Sequence, residues 1–310
     1  MYIAVDVGGT QIRVAVYPKG EIHPAKQKRI PTQANNETPL ERLMGLIAEL
    51  WPQSSDPVFA IAVAVPGWVD PQQGVIHVCP NIPGWEKLPL ASILAKRFGV
   101  PVKLGNDANM AVVGEWRYGA GQGHHNLIYM TISTGIGGGV ICDDRLLLGE
   151  HGLAAELGHV TILPDGPMCS CGHRGHLEAL ASGTAIGHYV SDQLAQGVPS
   201  LLSQIVRPTG RDISMAAEQG DPLAKSALAR SGMYIGLALS NYLQIFNPSI
   251  VILGGGVSKS GPFLLEPMRA SLAEHILSPE YMQGLVITTA ALGDDAGLMG
   301  ALALASGAVN

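Results

Sequence analysis

Four side chains able to ligate a metal stand close together near the middle of the chain: His159 and, after nine intervening residues, Cys169, Cys171 and His176. Two thiols and two imidazoles make the donor set of a closed tetrahedral zinc site. Four protein ligands leave no position for metal-bound water, so such an ion would shape a site without performing chemistry. His173 is a rival to His176 for the fourth position, and the spacing does not separate them. Gly172 and Gly175 fall where a chain must turn tightly around an ion. The chain has four cysteines, the others being Cys79 and Cys142, and opens without a secretory leader pattern. Metal binding is therefore a better reading of the paired cysteines than a disulfide framework. Glu156 and Glu178 flank the cluster and would place carboxylates beside it.

A second kind of chemistry is carried by glycine. In Asp6-Val-Gly8-Gly9-Thr10-Gln11, backbone N–H groups and the Thr10 hydroxyl can face phosphate oxygens, and Asp6 can orient the water shell of an accompanying Mg²⁺. Thr134-Gly135-Ile136-Gly137 offers a second nest of the same kind. Each could equally be an ordinary hairpin turn. Together, each with a hydroxyl residue beside it, they favour phosphate. A third cluster, Gly254-Gly255-Gly256, ends an apolar run, and its small residues would let an adenosine lie against backbone. The spacing matches neither a P-loop nor a dinucleotide fingerprint, and the protein-kinase motif set is absent.

Asn106-Asp107 stands between an apolar strand, Val100 to Leu104, and a helix, Ala108 to Tyr118. Asp107 there is either an N-cap or a general base at a strand's carboxyl end, where it could take the proton of a hydroxyl attacking a phosphoryl group. Asn81-Ile-Pro-Gly-Trp85 is a turn that could also bring Asn81 to a hydroxyl.

The elements that must position these residues follow from periodicity. Ile3, Val5 and Val7 alternate, as do Ile12, Val14 and Val16 after the bend, which predicts a hairpin. The same strand–bend–strand pattern returns at 127–142. Val58 to Val65 and Ile250 to Leu253 read as strands buried on both faces. Helical patterns run over 40–50, 90–98, 108–118, 178–196, 223–246 and 263–277. The alternation predicts an α/β protein with two related halves and a nucleotide held between them. At 310 residues, 47% hydrophobic and 14% charged, the chain is long enough for two domains and unlike a disordered one. A net charge of −6 without a basic run argues against nucleic acid or an anionic membrane, and no apolar run is long enough for a membrane span. The expectation is a soluble, cytoplasmic protein.

Asp6-x-Gly-Gly-Thr10, Asn106-Asp107, Ser133-Thr134-Gly-Ile-Gly-Gly-Gly139, Glu156-x-Gly-His159 and Cys169-x-Cys171-Gly-x-x-Gly-x-x-Glu178, in that order, resemble the ROK sugar kinases over essentially the whole chain. The resemblance implies an actin-like (ribonuclease H-like) ATPase fold with two domains around a central cleft. The smaller would cover 1–118, with the C-terminal helix 297–310 packing back on it, and the larger 119–296 with the zinc site. It implies Asp107 as base and sugar contacts from Gly67, Asn81, Asn106, Asp107, Glu156, His159 and Glu178. ATP and Mg²⁺ would be held by Asp6, Gly8, Gly9, Thr10, Gln11, Thr134, Gly135, Gly255 and Gly256. A structural Zn²⁺ on His159, Cys169, Cys171 and His176 would orient His159 toward the sugar. His176 replaces the family's usual third cysteine, and Gln11 stands where many members carry a basic residue, though Arg13 could lie nearby.

The activity implied is ATP-dependent phosphorylation of a hexose at its 6-hydroxyl. Pro80 to Trp85 looks most like the glucose-phosphorylating members, while kinases of N-acetylmannosamine and N-acetylglucosamine share the other motifs. The family's habit is a homodimer or homotetramer. ROK repressors carry a helix-turn-helix ahead of the first strand; here strand pattern begins at Tyr2, which disfavours that reading. A silent sugar sensor and an actin-like chaperone are further alternatives, weakened by the intact Asp6, Thr10 and Asp107 and by the lack of a separate peptide-binding domain.

Overall fold

Alternation of Ile3, Val5 and Val7 builds β1 (Tyr2–Val7), and β2 (Gln11–Tyr17) returns antiparallel with Val5 opposite Val14 and Asp6 opposite Arg13. In the computed structural model, which describes residues 1–34, 36–53 and 56–309, β3 (Lys26–Pro31) adds a third antiparallel strand. Its Lys-Gln-Lys-Arg sequence has no apolar alternation because it forms an exposed, charged edge. Helix α1 (Pro39–Leu50) starts from a capping box in which Thr38 and Glu41 exchange hydrogen bonds. Then follow β4 (Ala60–Val65), a small hairpin of β5 (Trp68–Asp70) and β6 (Val75–Val78), α2 (Leu90–Phe98), β7 (Val102–Asn106) and α3 (Asp107–Tyr118).

The pattern then repeats. Strands β8 (Leu127–Ile132), β9 (Ile136–Cys142) and β10 (Arg145–Leu146) precede α4 (Leu177–Ala181), α5 (Gly183–Ala195), α6 (Gly210–Glu218) and α7 (Pro222–Phe246). The chain closes with β11 (Ile250–Gly254), α8 (Pro262–His275), β12 (Val286–Thr289) and α9 (Ala296–Ser306). The two five-stranded sheets have orders β3-β2-β1-β4-β7 and β10-β9-β8-β11-β12. In each, three successive strands lie side by side and two later strands join parallel on the far edge. The two halves expected from the glycine bends are therefore one topology used twice.

The chain divides into two compact units, the first formed by 1–124, 139–155 and 291–310 and the second by 125–138 and 156–290. Residues 139–155 group with the first unit, and Asn310, the last residue of the expected C-terminal helix, lies outside the described residues. In the first unit both faces of the sheet are covered. Ile3, Val5, Val7, Val14 and Val63 pack with Leu43, Ile47, Leu90 and Leu94 on one side. On the other, Ala4, Ala15, Ala60 and Ala62 receive Leu298, Ala301, Leu302 and Ala305 of α9. This double burial explains why Ala60–Val65 is apolar throughout. Helices α3 and α9 touch through backbone: a Cβ on Gly300 would lie 1.8 Å from the Met110 carbonyl oxygen, and one on Gly114 2.3 Å from that of Ala296. Glu115, fully buried, accepts the N–H groups of Ala120, Ala291 and Leu292 and so ties the end of α3 to the start of α9.

The helix expected over 178–196 is two. Ser182 adopts extended backbone and its hydroxyl caps α5, while the Gly183 N–H turns to the Ser133 carbonyl at 2.8 Å. Helix α6 had no expectation, because its polar Gly-Arg-Asp start masks a single buried stripe of Ile213, Ala216 and Ala217. Among the described residues no helix is long and apolar enough to cross a membrane.

Candidate active site

The first unit carries the bend between β1 and β2. Gly8 N–H bonds the Gln11 carbonyl at 2.8 Å, and Thr32 fixes the bend from behind through its hydroxyl to Gly8 O (2.6 Å) and its N–H to Thr10 O (2.9 Å). Thr10 and Gln11 remain exposed. Gly9 packs closely on Asn81: a Cβ would stand 3.0 Å from the Asn81 Cβ and 3.2 Å from its carbonyl. This packing brings Asn81 against the bend. Asp6 lies on the strand face that meets α9, close to Gly297. Burial raises its pKa to about 6; Arg13 opposes this, and Asp107, Asp295 and Asp294 add to it. The Arg13 guanidinium is held by the Asp295 carboxylate and the Asp294 carbonyl and lies 3.8 Å from Asp6. Arg13 is thus engaged with carboxylates, and does not stand as a loose cation in place of the basic residue that Gln11 lacks.

At the β7–α3 junction the cap is Asn106, not Asp107. Asn106 Oδ1 accepts the N–H groups of Ala108 (2.9 Å) and Asn109 (3.1 Å), and its Nδ2 donates to the Gly67 carbonyl at 3.0 Å. Gly67 has φ +92°, and a Cβ there would meet the Val78 carbonyl at 2.1 Å, so only glycine can offer that acceptor. Asp107, the first residue of the helix, accepts the Ala108 N–H at 2.8 Å. It stays accessible to water, yet enough protein surrounds its carboxylate for desolvation to raise its pKa, with the Ala108 N–H opposing. The cap reading of Asp107 is thereby removed, and an accessible carboxylate of heightened basicity remains.

The second unit carries the other bend. Ser133 N–H bonds the Gly135 carbonyl at 2.9 Å, and the first amides of α5 reach back to the Ser133 and Thr134 carbonyls. Gly255 has φ +83° and packs on the Ile132 carbonyl, whereas space around Gly256 is open. Thr134 and Gly256 line a cavity of about 1240 Å³ together with Thr184, His188, Arg211 and Lys259. Its wall is built by α5 and α6, segments in which the sequence offered no motif. The small pair Gly183-Thr184 beside the bend was the one available signal.

Glu156 precedes a single helical turn, 157–159, that delivers His159, and Gly158 within it packs so tightly on the Ile136 carbonyl that a Cβ would come to 1.9 Å. One donor atom from each of His159, Cys169, Cys171 and His176 lies within 4.8 Å of every other. Cys169 Sγ is 3.7 Å from His159 Nδ1 and Cys171 Sγ 3.2 Å from His176 Nδ1. Zinc bonds of about 2.3 Å to sulfur and 2.0 Å to nitrogen imply tetrahedral edges of roughly 3.3–3.8 Å, so the donor set matches the ion and small shifts of these side chains would bring all four to it. His173 Nδ1, 3.8 Å from Cys171 Sγ, stands on an exposed residue outside that group. Glu178 accepts the Ser170 hydroxyl at 2.9 Å and the Ile136 N–H at 3.0 Å.

Comparison with known proteins agrees with this architecture. A glucokinase of Thermotoga maritima is 36% identical over 307 residues, covering 97% of this chain and 96% of that protein. The crystal structure of a ROK family glucokinase from Streptomyces griseus with glucose and AMPPNP superposes with a TM-score of 0.81 at 36% identity, covering 98% of each chain. A ROK family transcriptional regulator, a homologue of the E. coli MLC protein, gives 0.89 at 30% identity over 99% of this chain and 78% of that one. The fold is the actin-like ATPase fold of the ROK sugar kinases. Matched by the ROK family model over residues 2–308, this chain belongs to the ROK family.

Proposed function

We propose that this protein is an ATP-dependent glucokinase, transferring the γ-phosphoryl group of ATP to the 6-hydroxyl of glucose with Asp107 as general base. The observation that carries this is the division of labour at the β7–α3 junction. Asn106 caps the helix, and Asp107 is left accessible and raised in pKa. A raised pKa makes a carboxylate a better acceptor for the proton the hydroxyl gives up as its oxygen bonds phosphorus. Relatives named glucokinase supply the substrate class.

In this reading Asn81, Asn106, Glu156, His159 and Glu178 hold sugar hydroxyls, with Gly67 fixing Asn106. Gly8, Gly9, Thr10, Gln11, Thr134 and Gly135 face the phosphates, and Gly255 and Gly256 with the adjoining cavity take the adenosine. Asp6 is the carboxylate for the Mg²⁺ of the nucleotide. Binding energy from the remaining sugar hydroxyls would exclude water from the γ-phosphoryl group and limit ATP hydrolysis. His159, Cys169, Cys171 and His176 hold a zinc ion, which supplies rigidity to the loop bearing His159.

The test is ADP release with ATP·Mg²⁺ against glucose, mannose, fructose, N-acetylglucosamine and N-acetylmannosamine. Preference for glucose is expected. Preference for an N-acetylated sugar would keep the mechanism and change the substrate. Similarity to a ROK regulator gives a second reading, a sugar sensor, which glucose binding without turnover would favour.

A further inference from the structure

Glu178 uses its two oxygens in opposite directions. Oε2 accepts the Ile136 N–H at 3.0 Å and fills the space beside Gly135, where a Cβ would come to 2.4 Å. Oε1 accepts the Ser170 hydroxyl at 2.9 Å and faces the Cys169 thiol at 3.6 Å. Ser170 lies between Cys169 and Cys171, two of the four clustered donors. Thr134, one residue before Gly135, lines the cavity. One carboxylate therefore spans from the metal-ligating loop to the glycine bend.

We infer that Glu178 is a positioning residue through which occupancy of the His159, Cys169, Cys171 and His176 cluster sets the nucleotide affinity of the cavity. With Cys169 and Cys171 both held as ligands, Ser170 between them would lose its freedom to move. The Ser170 hydroxyl then holds Oε1, and the rigid carboxylate leaves Oε2 aimed at Ile136. A hydrogen bond to a charged acceptor is strong enough to keep the bend in one conformation. Backbone amides bind an anion well only when their geometry is set in advance, so loosening the far end of this chain weakens the phosphate grip. Gly135 matters because any side chain there would displace the carboxylate. This rests on the reading of the cavity as a nucleotide site.

The experiment is calorimetric titration of AMPPNP with Mg²⁺ into the full chain without sugar, in zinc-replete and chelator-stripped forms, with metal content measured alongside. Stripping is expected to weaken AMPPNP roughly five- to tenfold, the lower end of the usual scale of coupling between sites. Ser170→Ala, still holding one zinc per chain, is expected to show the weakened affinity even when loaded, and its loaded-to-stripped ratio to fall near one. Glu178→Gln should behave alike. Should the stripped chain unfold, the loaded Ser170→Ala variant decides alone. Wild-type affinity in loaded Ser170→Ala, or equal affinity in folded loaded and stripped wild type, overturns the coupling while leaving the kinase reading intact. A loaded wild type that binds no AMPPNP overturns the kinase reading and the coupling with it.

Discussion

Arg13 stands directly across the β1–β2 ladder from Asp6, and its guanidinium is shared between that carboxylate and Asp295. Burial lifts the Asp6 pKa from 3.8 to about 6 despite this cation. The folded state thus binds the proton more tightly than the unfolded chain, and the stability this contributes at low pH is lost as pH rises through about 6. Function runs the other way, since Mg²⁺ needs the ionised form. We expect kcat/KM for ATP·Mg²⁺ to fall as pH drops through about 6, and the limb to move lower when Mg²⁺ is raised, because metal and proton compete.

Removing the cation sharpens the same test. Arg13→Met should raise the Asp6 pKa further and shift that limb upward. It should also cost about 1–2 kcal/mol, between the values of exposed and buried ion pairs. A pH profile and chemical denaturation together check this; an unmoved limb would separate Asp6 from the metal step.

The neighbours Asn106 and Asp107 should part company when changed singly. Asp107→Asn is expected to lower kcat roughly 100- to 10,000-fold, the usual yield of a general base, with glucose affinity and Tm little altered. Asn106→Ala should cost about 1 kcal/mol of stability through the lost cap and raise the KM for glucose, without the large loss of kcat. Thermal melts beside steady-state kinetics distinguish the two, and near-normal turnover in Asp107→Asn would remove it as base.

For the metal cluster, Cys171→Ser should lower zinc content, reduce Tm by roughly 5 °C and raise the KM for glucose through the His159 loop. Elemental analysis with a melting curve checks this. Unchanged melting and KM would sink the zinc assignment.

Helix contact gives the sharpest stability prediction. Gly300→Ala pushes a methyl onto the Met110 carbonyl, a backbone atom that cannot swing away. It should destabilise by about 1–3 kcal/mol or more, the range for overpacking, readable as a lower denaturation midpoint.

Much of this was legible beforehand where chemistry and periodicity coincide. His159, Cys169, Cys171 and His176 declared a cluster because donors close in sequence are forced close in space, and the glycine bends marked both hairpins. What stayed hidden depends on partners far along the chain. That Asn106 outcompetes Asp107 as cap follows from Gly67, 39 residues away, which fixes the Asn106 amide. Arg13 finds the Asp294 carbonyl and the Asp295 carboxylate 281 and 282 residues downstream. The break at Ser182 is set by Ser133, whose carbonyl takes the Gly183 amide and leaves the apolar pattern on either side undisturbed.

The alanine face of the first sheet has a consequence for synthesis. Ala4, Ala15, Ala60 and Ala62 are made early, but the helix that covers them is encoded after the whole of 156–290. In order of synthesis, all five strands of this sheet precede Glu156, and the helix that covers their alanine face follows Ala290, so that face stays uncovered until the second unit has been made. The small side chains of Ala4, Ala15, Ala60 and Ala62, with Tyr17 beside them, are what let α9 lie close against the strands once it is made.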